Sequence, residues 1–448
     1  MLGGRQMTLQ LVSARARSTN QIELSFSGPV QLLPQGALDP LLFTVMADGG
    51  SRRISTVVRE GEQTVVLSIP GRALATFNEL ILTYESPDLT MGRGYLGDIN
   101  GDPLASILGR TVSTLVTASS LSKPMGKAYL ELILLGDKPI NGIGNALANT
   151  ITGNGSANFL DGRGGADRLI GGAGNDRYQV DETADTVIEA LDEGIDLILA
   201  SVSYNLPDHV ENLTLIGWEG WYATGNGLNN TLIGNNGPNV LDGGPGADVM
   251  RGGKGHDTYV VDLSTDQIVE TGLETDHDTV LSSISWTLGA KLEELRLQGE
   301  LPINAFGNER HNTLIGNNAA NVLDGGRAGT DVLTGMAGAD VFRFSFLPPR
   351  FSEFHADHIT DFNSAEGDVI QLSRASFKIT SNTSTLVTVE GNDATEVALG
   401  TGVMFVYDRL KGALHWNQNG VTRGAGSGGI FAILDTKPAL TAANIVLS

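Results

Sequence analysis

Two different patterns of hydrophobic and polar residues follow one another along this chain. In about the first 120 residues, apolar and polar residues alternate in short runs, as in Ile22–Phe26, Phe43–Val45, Val65–Ile69 and Leu80–Tyr84. Successive side chains of a β-strand point to opposite faces, so this alternation predicts half-buried strands. The Gly, Pro, Asp and Asn clusters between the runs predict turns. Residues 1–120 are therefore expected to form an antiparallel β-sandwich.

The second pattern has a period of nine residues. Its repeats are grouped in three arrays of four, which span residues 144–179, 225–260 and 307–343. In each repeat, six residues rich in Gly, Asn and Asp predict a turn, and three residues with an apolar middle position predict a short strand. The middle residues of the first array, which are expected to face a core between two sheets, are Ile151, Leu160, Leu169 and Tyr178.

Spacers of about 45 residues separate the arrays, and the two spacers also match one another. Val180–Glu189 aligns with Val261–Glu270, and the alternating Val, Ile and Leu residues predict strands that continue the stack. Two repeats make one coil, so turns 18 residues apart should lie on top of each other. The predicted fold class is all-β: a sandwich (1–120), a linker (121–138), an elongated parallel β-roll or β-solenoid (139–347), and a C-terminal β cap (348–448).

Charge and composition narrow the chemistry. The formal net charge is −22, and the acidic excess lies after residue 130, which disfavours a nucleic-acid partner. The chain contains no cysteine, so bound metals must be held by oxygen or histidine ligands, and hard cations fit best. No apolar run is long enough to span a membrane. Residues 1–18 lack the apolar middle of a signal peptide, so export by the usual N-terminal route is not expected.

The repeat has the form Gly-Gly-x-Gly-x-Asp-x-U-x, which resembles the calcium-binding nonapeptide repeat of RTX proteins. Its most complete copies are Gly171–Gln179 and Gly252–Val260. The resemblance implies a parallel β-roll in which Ca²⁺ ions lie between stacked turns, held by backbone carbonyls and by the side chain at position six. The alternative is that Gly, Asn and Asp simply make tight turns.

The side chains at position six form six predicted ligand pairs, each with one Asn and one Asp. These pairs are Asn149 with Asp167, Asn158 with Asp176, Asn230 with Asp248, Asn239 with Asp257, Asn312 with Asp331, and Asn321 with Asp340. The turn glycines predicted to take part are Gly162, Gly164, Gly171, Gly243, Gly252 and Gly325. Because Asn brings no charge, we expect only about three to six Ca²⁺ ions. Asp161, Asp242 and Asp324, just before turns, are either outer ligands or turn caps.

The segments on either side of the repeats carry weaker resemblances. The N-terminal segment resembles the SwmB-like immunoglobulin-type domains of bacterial surface proteins, and within it Asp98, Asn100 and Asp102 form either a calcium loop or an Asx-rich turn. Residues 357–372 resemble the cap after RTX arrays, as in serralysin-type proteases. Asp357, Asp361 and Asp368 there either bind a further ion or form turns. The residues that follow resemble a type I secretion signal.

No catalytic motif is recognisable in the sequence. The His-Glu-x-x-His and Gly-x-Ser-x-Gly patterns are absent, and His355 and His358 are either a transition-metal pair or isolated surface residues. The resemblances imply a non-enzymatic calcium-binding protein with a structural, adhesive or surface-layer role. It would leave the cell through type I secretion machinery, fold on calcium outside, and meet a cell-surface or polysaccharide partner.

Two other functions are compatible with the sequence. One is a carbohydrate-binding accessory module that uses Trp218, Trp221 and Trp286, for which core packing is the alternative role. The other is an RTX enzyme with an unrecognised catalytic site in the N-terminal domain.

Overall fold

The computed structural model describes the chain in three parts. These are strand segments between residues 11 and 117, then residues 131–418 with short gaps (136–137, 274, 348–350, 381–383, 392–394, 396–397 and 400–401), and residues 428–448. The described chain forms two compact units. The first comprises Met1–Ser201 and Pro207–Val210, and the second comprises Val202–Leu206 and Glu211–Ser448. No helix among the described residues has the length and apolar character needed to cross a bilayer.

Antiparallel strands make up most of the N-terminal part of the first unit. They are β1 (Leu11–Ser18), β2 (Gln21–Phe26), β3 (Gln31–Leu33), β4 (Phe43–Ala47), β5 (Gly50–Arg52), β6 (Thr56–Arg59), β7 (Thr64–Ser68), β8 (Leu80–Tyr84), β9 (Tyr95–Gly97), β10 (Ile107–Thr111) and β11 (Leu115–Thr117). Two four-stranded sheets have the orders β1-β2-β7-β6 and β10-β8-β4-β5, and β3 pairs with β9. Their packing into a sandwich stays a prediction, and Asp98, Asn100 and Asp102 lie outside the described residues.

A parallel β-solenoid occupies the rest of the first unit. Its strands are β12 (Glu131–Leu135), β13 (Asn141–Ile143), β14 (Thr150–Thr152), β15 (Phe159–Asp161), β16 (Arg168–Ile170), β17 (Arg177–Val180), β18 (Thr186–Ile188) and β19 (Leu197–Ala200). Alternate strands form opposite sheets, and Thr150 pairs with Arg168, which is the predicted 18-residue stacking. The strand β12 lies in the segment predicted to be a linker. Its Leu132 and Leu134 are buried, and it pairs in parallel with β14.

The second unit also contains a parallel coil. Its strands are β20 (Tyr204–Asn205), β21 (Asn212–Leu215), β22 (Tyr222–Thr224), β23 (Thr231–Ile233), β24 (Val240–Asp242), β25 (Val249–Arg251), β26 (Thr258–Val261), β27 (Gln267–Ile268), β28 (Thr279–Ser282), β29 (Trp286–Thr287), β30 (Glu294–Leu297), β31 (Ala305–Phe306), β32 (Thr313–Ile315), β33 (Val322–Asp324), β34 (Val332–Thr334), β35 (Val341–Phe344), β36 (Asp357–Ile359), β37 (Val369–Leu372), β38 (Leu386–Val389), β39 (Phe405–Asp408), β40 (Ala413–Trp416), β41 (Gly429–Leu434) and β42 (Ile445–Leu447). A 3₁₀-helix, Ala442–Asn444, precedes β42.

The predicted cap begins as further coils of the solenoid. Strand β36 pairs in parallel with β34, and β37 pairs in parallel with β35. The pattern then changes, because β39, β40 and β41 form antiparallel pairs, and β41 lies beside β36. Strand β42 covers the other sheet by pairing with β37.

The solenoid core is a column of single apolar side chains, one from each short strand. The prediction that Ile151, Leu160, Leu169 and Tyr178 face this core is confirmed, since each is fully buried. Their counterparts in the second unit, Leu232, Leu241, Met250 and Tyr259, are equally buried. The spacers also supply core residues, including Ile198 and Val280. Burying one residue per strand leaves the turns free to carry polar groups.

Candidate calcium sites

All twelve repeats begin with glycine, and the packing of the turn explains why. A Cβ atom on the first glycine would collide with the side chain at position six of the same repeat. At Gly243, for example, it would lie 2.7 Å from both Cβ and Cγ of Asp248. The absence of a side chain at position one therefore allows the carboxylate or amide of position six to fold inward over the turn.

The position-six residues form hydrogen-bonded ladders along the stack. In each predicted pair, the backbone N–H of the Asn donates to Oδ1 of the Asp in the following coil. The donor–acceptor distances are 2.7 Å for Asn149 to Asp167, 2.6 Å for Asn158 to Asp176, 2.7 Å for Asn230 to Asp248, 2.7 Å for Asn239 to Asp257, 2.8 Å for Asn312 to Asp331 and 2.8 Å for Asn321 to Asp340. The structure thus brings all six pairs together, while their role as calcium ligands stays a prediction.

Each ladder has a third member, and four of these third members were missed by the sequence analysis. The N–H of every position-six Asp donates to Oδ1 of another Asp one coil further on. The pairs are Asp167 to Asp185, Asp176 to Asp196, Asp248 to Asp266, Asp257 to Asp278, Asp331 to Asp357 and Asp340 to Asp368. Asp185, Asp196, Asp266 and Asp278 belong to the spacers. Asp185 and Asp266 still lie 18 residues after their partners, whereas Asp196 and Asp278 lie 20 and 21 residues after theirs.

The Asn and Asp members of a ladder use their side-chain oxygens differently. Asn149 Oδ1 accepts the N–H of Asn145 in its own turn, at 2.8 Å, and the other five Asn residues close their turns in the same way. By contrast, the Oδ2 atoms of four Asp residues are buried without a hydrogen-bond partner; they belong to Asp167, Asp176, Asp248 and Asp257. A buried carboxylate oxygen without a donor needs a cation or a proton. We call the contact between a position-six Asp and the Asp one coil further on an Asp–Asp step. The best cation positions are therefore beside these Asp–Asp steps, one coil beyond the predicted Asn–Asp pairs.

At two of these steps a third carboxylate joins the pair. Among the described residues, Asp176, Glu189 and Asp196 have carboxylate oxygens within 4.8 Å of one another, and so do Asp257, Glu270 and Asp278. We call these groups the first and second carboxylate trios. Each Glu stacks beside the first glycine of a turn and bonds to a core tyrosine. Tyr178 Oη donates to Glu189, and Tyr259 Oη donates to Glu270 at 2.5 Å.

The electrostatics of the trios favour a positively charged occupant. Burial and, to a smaller extent, the neighbouring Asp196 carboxylate raise the pKa of Asp176 to about 7 and that of Glu189 to about 8. In the second trio, burial raises the pKa values of Asp257 and Asp278 to about 7. Such shifts mean that the negative charges are poorly solvated and that the largest nearby charges have the same sign.

The third array follows the same plan with one difference in the core. Phe342 stands where the other arrays have a tyrosine, so no phenol is available. Asp361 occupies the position beside the first glycine, and its two oxygens accept the N–H groups of Gly335 and Met336 at 2.9 and 2.8 Å. Burial and the adjacent Asp357 carboxylate raise the pKa of Asp331. The three cap residues named in the sequence analysis, Asp357, Asp361 and Asp368, thus all contact the last array.

The Asp residues just before turns serve as caps. Asp161, Asp242 and Asp324 each accept the N–H of the residue two positions later, at 3.0, 3.1 and 3.2 Å. Each bond closes the turn that follows the strand. The turn-cap role is therefore observed for all three residues, while a role as outer ligands stays a prediction.

The two histidines near residue 356 have separate partners. His355 Nδ1 lies 2.7 Å from Ser352 Oγ, and His358 Nδ1 lies 3.1 Å from Asp435 Oδ1. Neither belongs to a group of converging metal ligands among the described residues.

The tryptophans differ in exposure. Trp218 is 79% exposed, so the expectation of core packing is wrong for this residue, whereas Trp221 and Trp286 are partly buried. Trp218 follows Gly217 in a surface loop of the first spacer, where a positive φ angle turns the backbone outward.

The repeats match a known family. The model of the RTX calcium-binding nonapeptide repeat matches residues 143–178, 224–259 and 306–342, which are the three arrays. The chain therefore carries RTX calcium-binding repeats, and their buried acidic groups have the oxygen donors that Ca²⁺ prefers. No curated protein sequence matches the chain.

Proposed function

We propose that this is a secreted protein whose solenoid folds when its stacked turns bind Ca²⁺ outside the cell, and that its role is structural or adhesive rather than catalytic. The observation that carries the proposal is the set of buried Asp Oδ2 atoms without a hydrogen-bond donor, at Asp167, Asp176, Asp248 and Asp257. These atoms recur at the same position of successive glycine-rich turns, which is the position that defines the repeat.

The chain itself provides the arrangement that a cation needs. The first glycine of each turn leaves room for the inward carboxylate, and the carbonyl of Gly162 or Gly243 faces the preceding turn. Ca²⁺ accepts six to eight oxygen ligands in flexible geometry, so carbonyls and carboxylates from two coils suit it. When bound, the ion neutralises carboxylates that otherwise repel one another across the stack.

Without the cation, folding has to bring these carboxylates together at a cost. The chain carries a net charge of −22, and self-repulsion opposes compaction. Because the ions bind only stacked turns, their binding free energy becomes folding free energy. One site contributes about 2.7 kcal/mol when calcium is a hundredfold above the dissociation constant.

The same coupling suits export. Extracellular calcium modules have dissociation constants of roughly 10⁻⁴–10⁻³ M, far above cytosolic calcium. The chain would stay extended inside the cell and pass through type I secretion machinery with a C-terminal signal in residues 348–448. The SwmB-like N-terminal resemblance and the serralysin-like cap support a location outside the cell or on its surface. They also suggest a cell-surface or polysaccharide partner.

Calcium titration of the full chain tests the proposal. We expect the calcium-free protein at pH 8 to have little β-structure by circular dichroism, and the β signal to rise cooperatively as calcium reaches the millimolar range. Native mass spectrometry of the folded form should count three to six ions. A β signal that is the same in excess chelator and in excess calcium would overturn the proposal.

Carbohydrate binding is a second candidate, favoured by two exposed aromatic side chains, Trp218 in a loop and Tyr222 at the start of the strand that follows it. Trp218 is 79% exposed and Tyr222 is 59% exposed, and exposed rings can stack on sugar faces. We expect a glycan array to reveal a ligand that Trp218→Ala loses at least about tenfold in affinity, or about 1.4 kcal/mol. Leu301→Ala, which removes an exposed apolar side chain of the second spacer, is the control. Binding that survives Trp218→Ala excludes this loop.

A further inference from the structure

We infer that the two carboxylate trios are cation sites of a separate class, which bind Ca²⁺ more tightly than the remaining turns and fill first. In each trio, a glutamate from the spacer adds a third carboxylate to the Asp–Asp step of an array. The inference rests on the proposed function for the identity of the ion. It goes further by assigning Glu189 and Glu270, which lie outside the nonapeptide repeats, as ligands.

Position and burial distinguish these glutamates from surface acids. Glu189 follows β18, which pairs with β16, so that Glu189 stacks beside Gly171 of the preceding coil. Only 8% of Glu189 is exposed, and its Oε2 atom is buried without a hydrogen-bond partner. Asp176 is 2% exposed, and its Oδ2 atom is likewise buried without a hydrogen-bond partner. Two partnerless oxygens of different side chains thus lie in one buried cluster, which is the arrangement expected around an absent cation.

The second unit contains the same cluster, built from the corresponding residues of the second array and the matching spacer. Glu270 follows β27, which pairs with β25, and it therefore stacks beside Gly252. Its partners are Asp257, whose Oδ2 is buried without a donor, and Asp278. The turn between the glutamate and the last Asp differs in length between the two spacers, yet the three carboxylates converge in both. Local turn geometry alone does not account for this recurrence.

The charge count explains why these sites should be the tighter ones. Within 4.8 Å, three ionised carboxylates of a trio bring a charge of −3 to a dication. At the Asp167–Asp185 and Asp248–Asp266 steps, the further acids Asp181 and Asp262 act on the pair but do not converge with it to that distance among the described residues. Calcium affinity rises with the number of charged ligands and with the rigidity of the site. Rigidity comes from Tyr178 and Tyr259, whose hydroxyl groups hold the two glutamates from the core side.

The tyrosines also provide a direct readout. Terbium replaces Ca²⁺ at oxygen-rich sites, and its emission is sensitised by a phenol in contact with a ligand. We expect the first two equivalents of Tb³⁺ added to the full chain to give tyrosine-sensitised emission. The double variant Tyr178→Phe/Tyr259→Phe should still bind two equivalents of Tb³⁺ but lose most of the emission, because it removes the phenols but no carboxylate.

The charge of the glutamates is tested by Glu189→Gln/Glu270→Gln, which keeps an acceptor for the tyrosine hydroxyl. We expect this variant to bind the first two equivalents of Tb³⁺ and of Ca²⁺ with an affinity at least about tenfold lower, or about 1.4 kcal/mol weaker. The matched control is Glu182→Gln/Glu300→Gln, which removes an exposed glutamate from each spacer and should change nothing.

The outcomes separate this inference from the proposed function. If Glu189→Gln/Glu270→Gln leaves the affinity for the first two equivalents unchanged while calcium still induces folding, the trios are not the tight sites and only the inference fails. If the wild-type β signal is independent of calcium, the proposed function fails, but tight Tb³⁺ binding that the Gln variant weakens still supports the trios.

Discussion

In the absence of calcium, the protein is expected to become more stable as the pH is lowered from 8 to 5. The buried carboxyls of the turns have pKa values above those of the unfolded chain: about 6 for Asp167 and Asp248, and about 7 for Asp176, Asp257 and Asp340. Burial is the main cause of each shift. The folded state therefore binds more protons than the unfolded state between about pH 4 and 8, and its stability falls as the pH rises through this window.

With calcium bound, the dependence should reverse. Protons then compete with the ion for the same oxygens, so acidification weakens binding and lowers stability. The measurement is the β signal by circular dichroism at pH 5, 6, 7 and 8, once for protein stripped of calcium by gel filtration and once in millimolar calcium. We expect the stripped protein to be largely unfolded at pH 8 and to gain β-structure towards pH 5, whereas the β signal in millimolar calcium should fall over the same range.

Two controls belong to this experiment. Light scattering is needed at the lowest pH, because the isoelectric point is close to 4.6. Asp176→Asn/Asp257→Asn should flatten the pH dependence of the stripped protein, whereas Glu300→Gln should leave it unchanged, since Glu300 is exposed. A stripped protein that loses stability between pH 8 and 5 contradicts the assignment of these groups.

Replacing the first glycine of a central turn is expected to abolish folding of its array. In Gly162→Ala the new Cβ would lie 2.6 Å from Cβ of Asp167, and in Gly243→Ala it would lie 2.7 Å from Cβ of Asp248. Each inward carboxylate must then move away. Overpacking of this kind costs about 3 kcal/mol, and the loss of one well-filled ion site costs about 2.7 kcal/mol more. For one substitution the two costs together reach about 6 kcal/mol, the lower end of the stability of a typical domain.

Matched controls are available in the turn of Gly162 and in the turn one coil before Gly243. A Cβ on Gly164 or Gly227 would meet no atom within 4 Å, and neither residue has a positive φ angle. Gly164→Ala and Gly227→Ala should therefore stay within about 1 kcal/mol of the wild type. Calcium titrations followed by circular dichroism compare the four variants. Normal calcium-induced folding of Gly162→Ala/Gly243→Ala is the result that would refute the steric role of position one.

The regular part of the solenoid could be predicted from the sequence because its repeat is local and strict. Once the period is nine and two repeats make a coil, stacking at 18 residues follows, and the apolar middle residue of each strand must face the core. The pairing of Asn149 with Asp167 and the burial of Leu160 and Tyr178 follow from that count alone. No long-range information is needed where each coil contacts only its neighbours.

The spacer ligands could not be found in the same way. Asp167 pairs with Asp185 at 18 residues, but Asp176 pairs with Asp196 at 20 and Asp257 with Asp278 at 21, so counting in nines misses them. A signal was present, because Asp185-Thr-Val-Ile-Glu189 and Asp266-Gln-Ile-Val-Glu270 keep both acids in register. The alignment of the two spacers predicted strands but not ligands. Only the structure shows that both glutamates lie beside a glycine-rich turn.

The use of the Asn oxygens was also beyond prediction. Asn and Asp have the same shape, and spacing alone does not reveal whether Oδ1 points to the next coil or to its own turn. Asn149 Oδ1 accepts a bond from Asn145, which needs no cation. Asp167 has a second oxygen that no backbone donor reaches. The difference moves the candidate ion positions by one coil.

The antiparallel strands next to β41 also limit self-association. A parallel coil at the end of a stack presents the same row of backbone donors and acceptors that another copy of the protein would need for fibre growth. Here Asp357–Ile359 is paired with Gly429–Leu434, whose other neighbour runs antiparallel, and Val369–Leu372 is paired with the three-residue strand Ile445–Leu447. Asp357–Ile359 and Val369–Leu372 are therefore already paired, and neither is open to a coil from another copy of the chain.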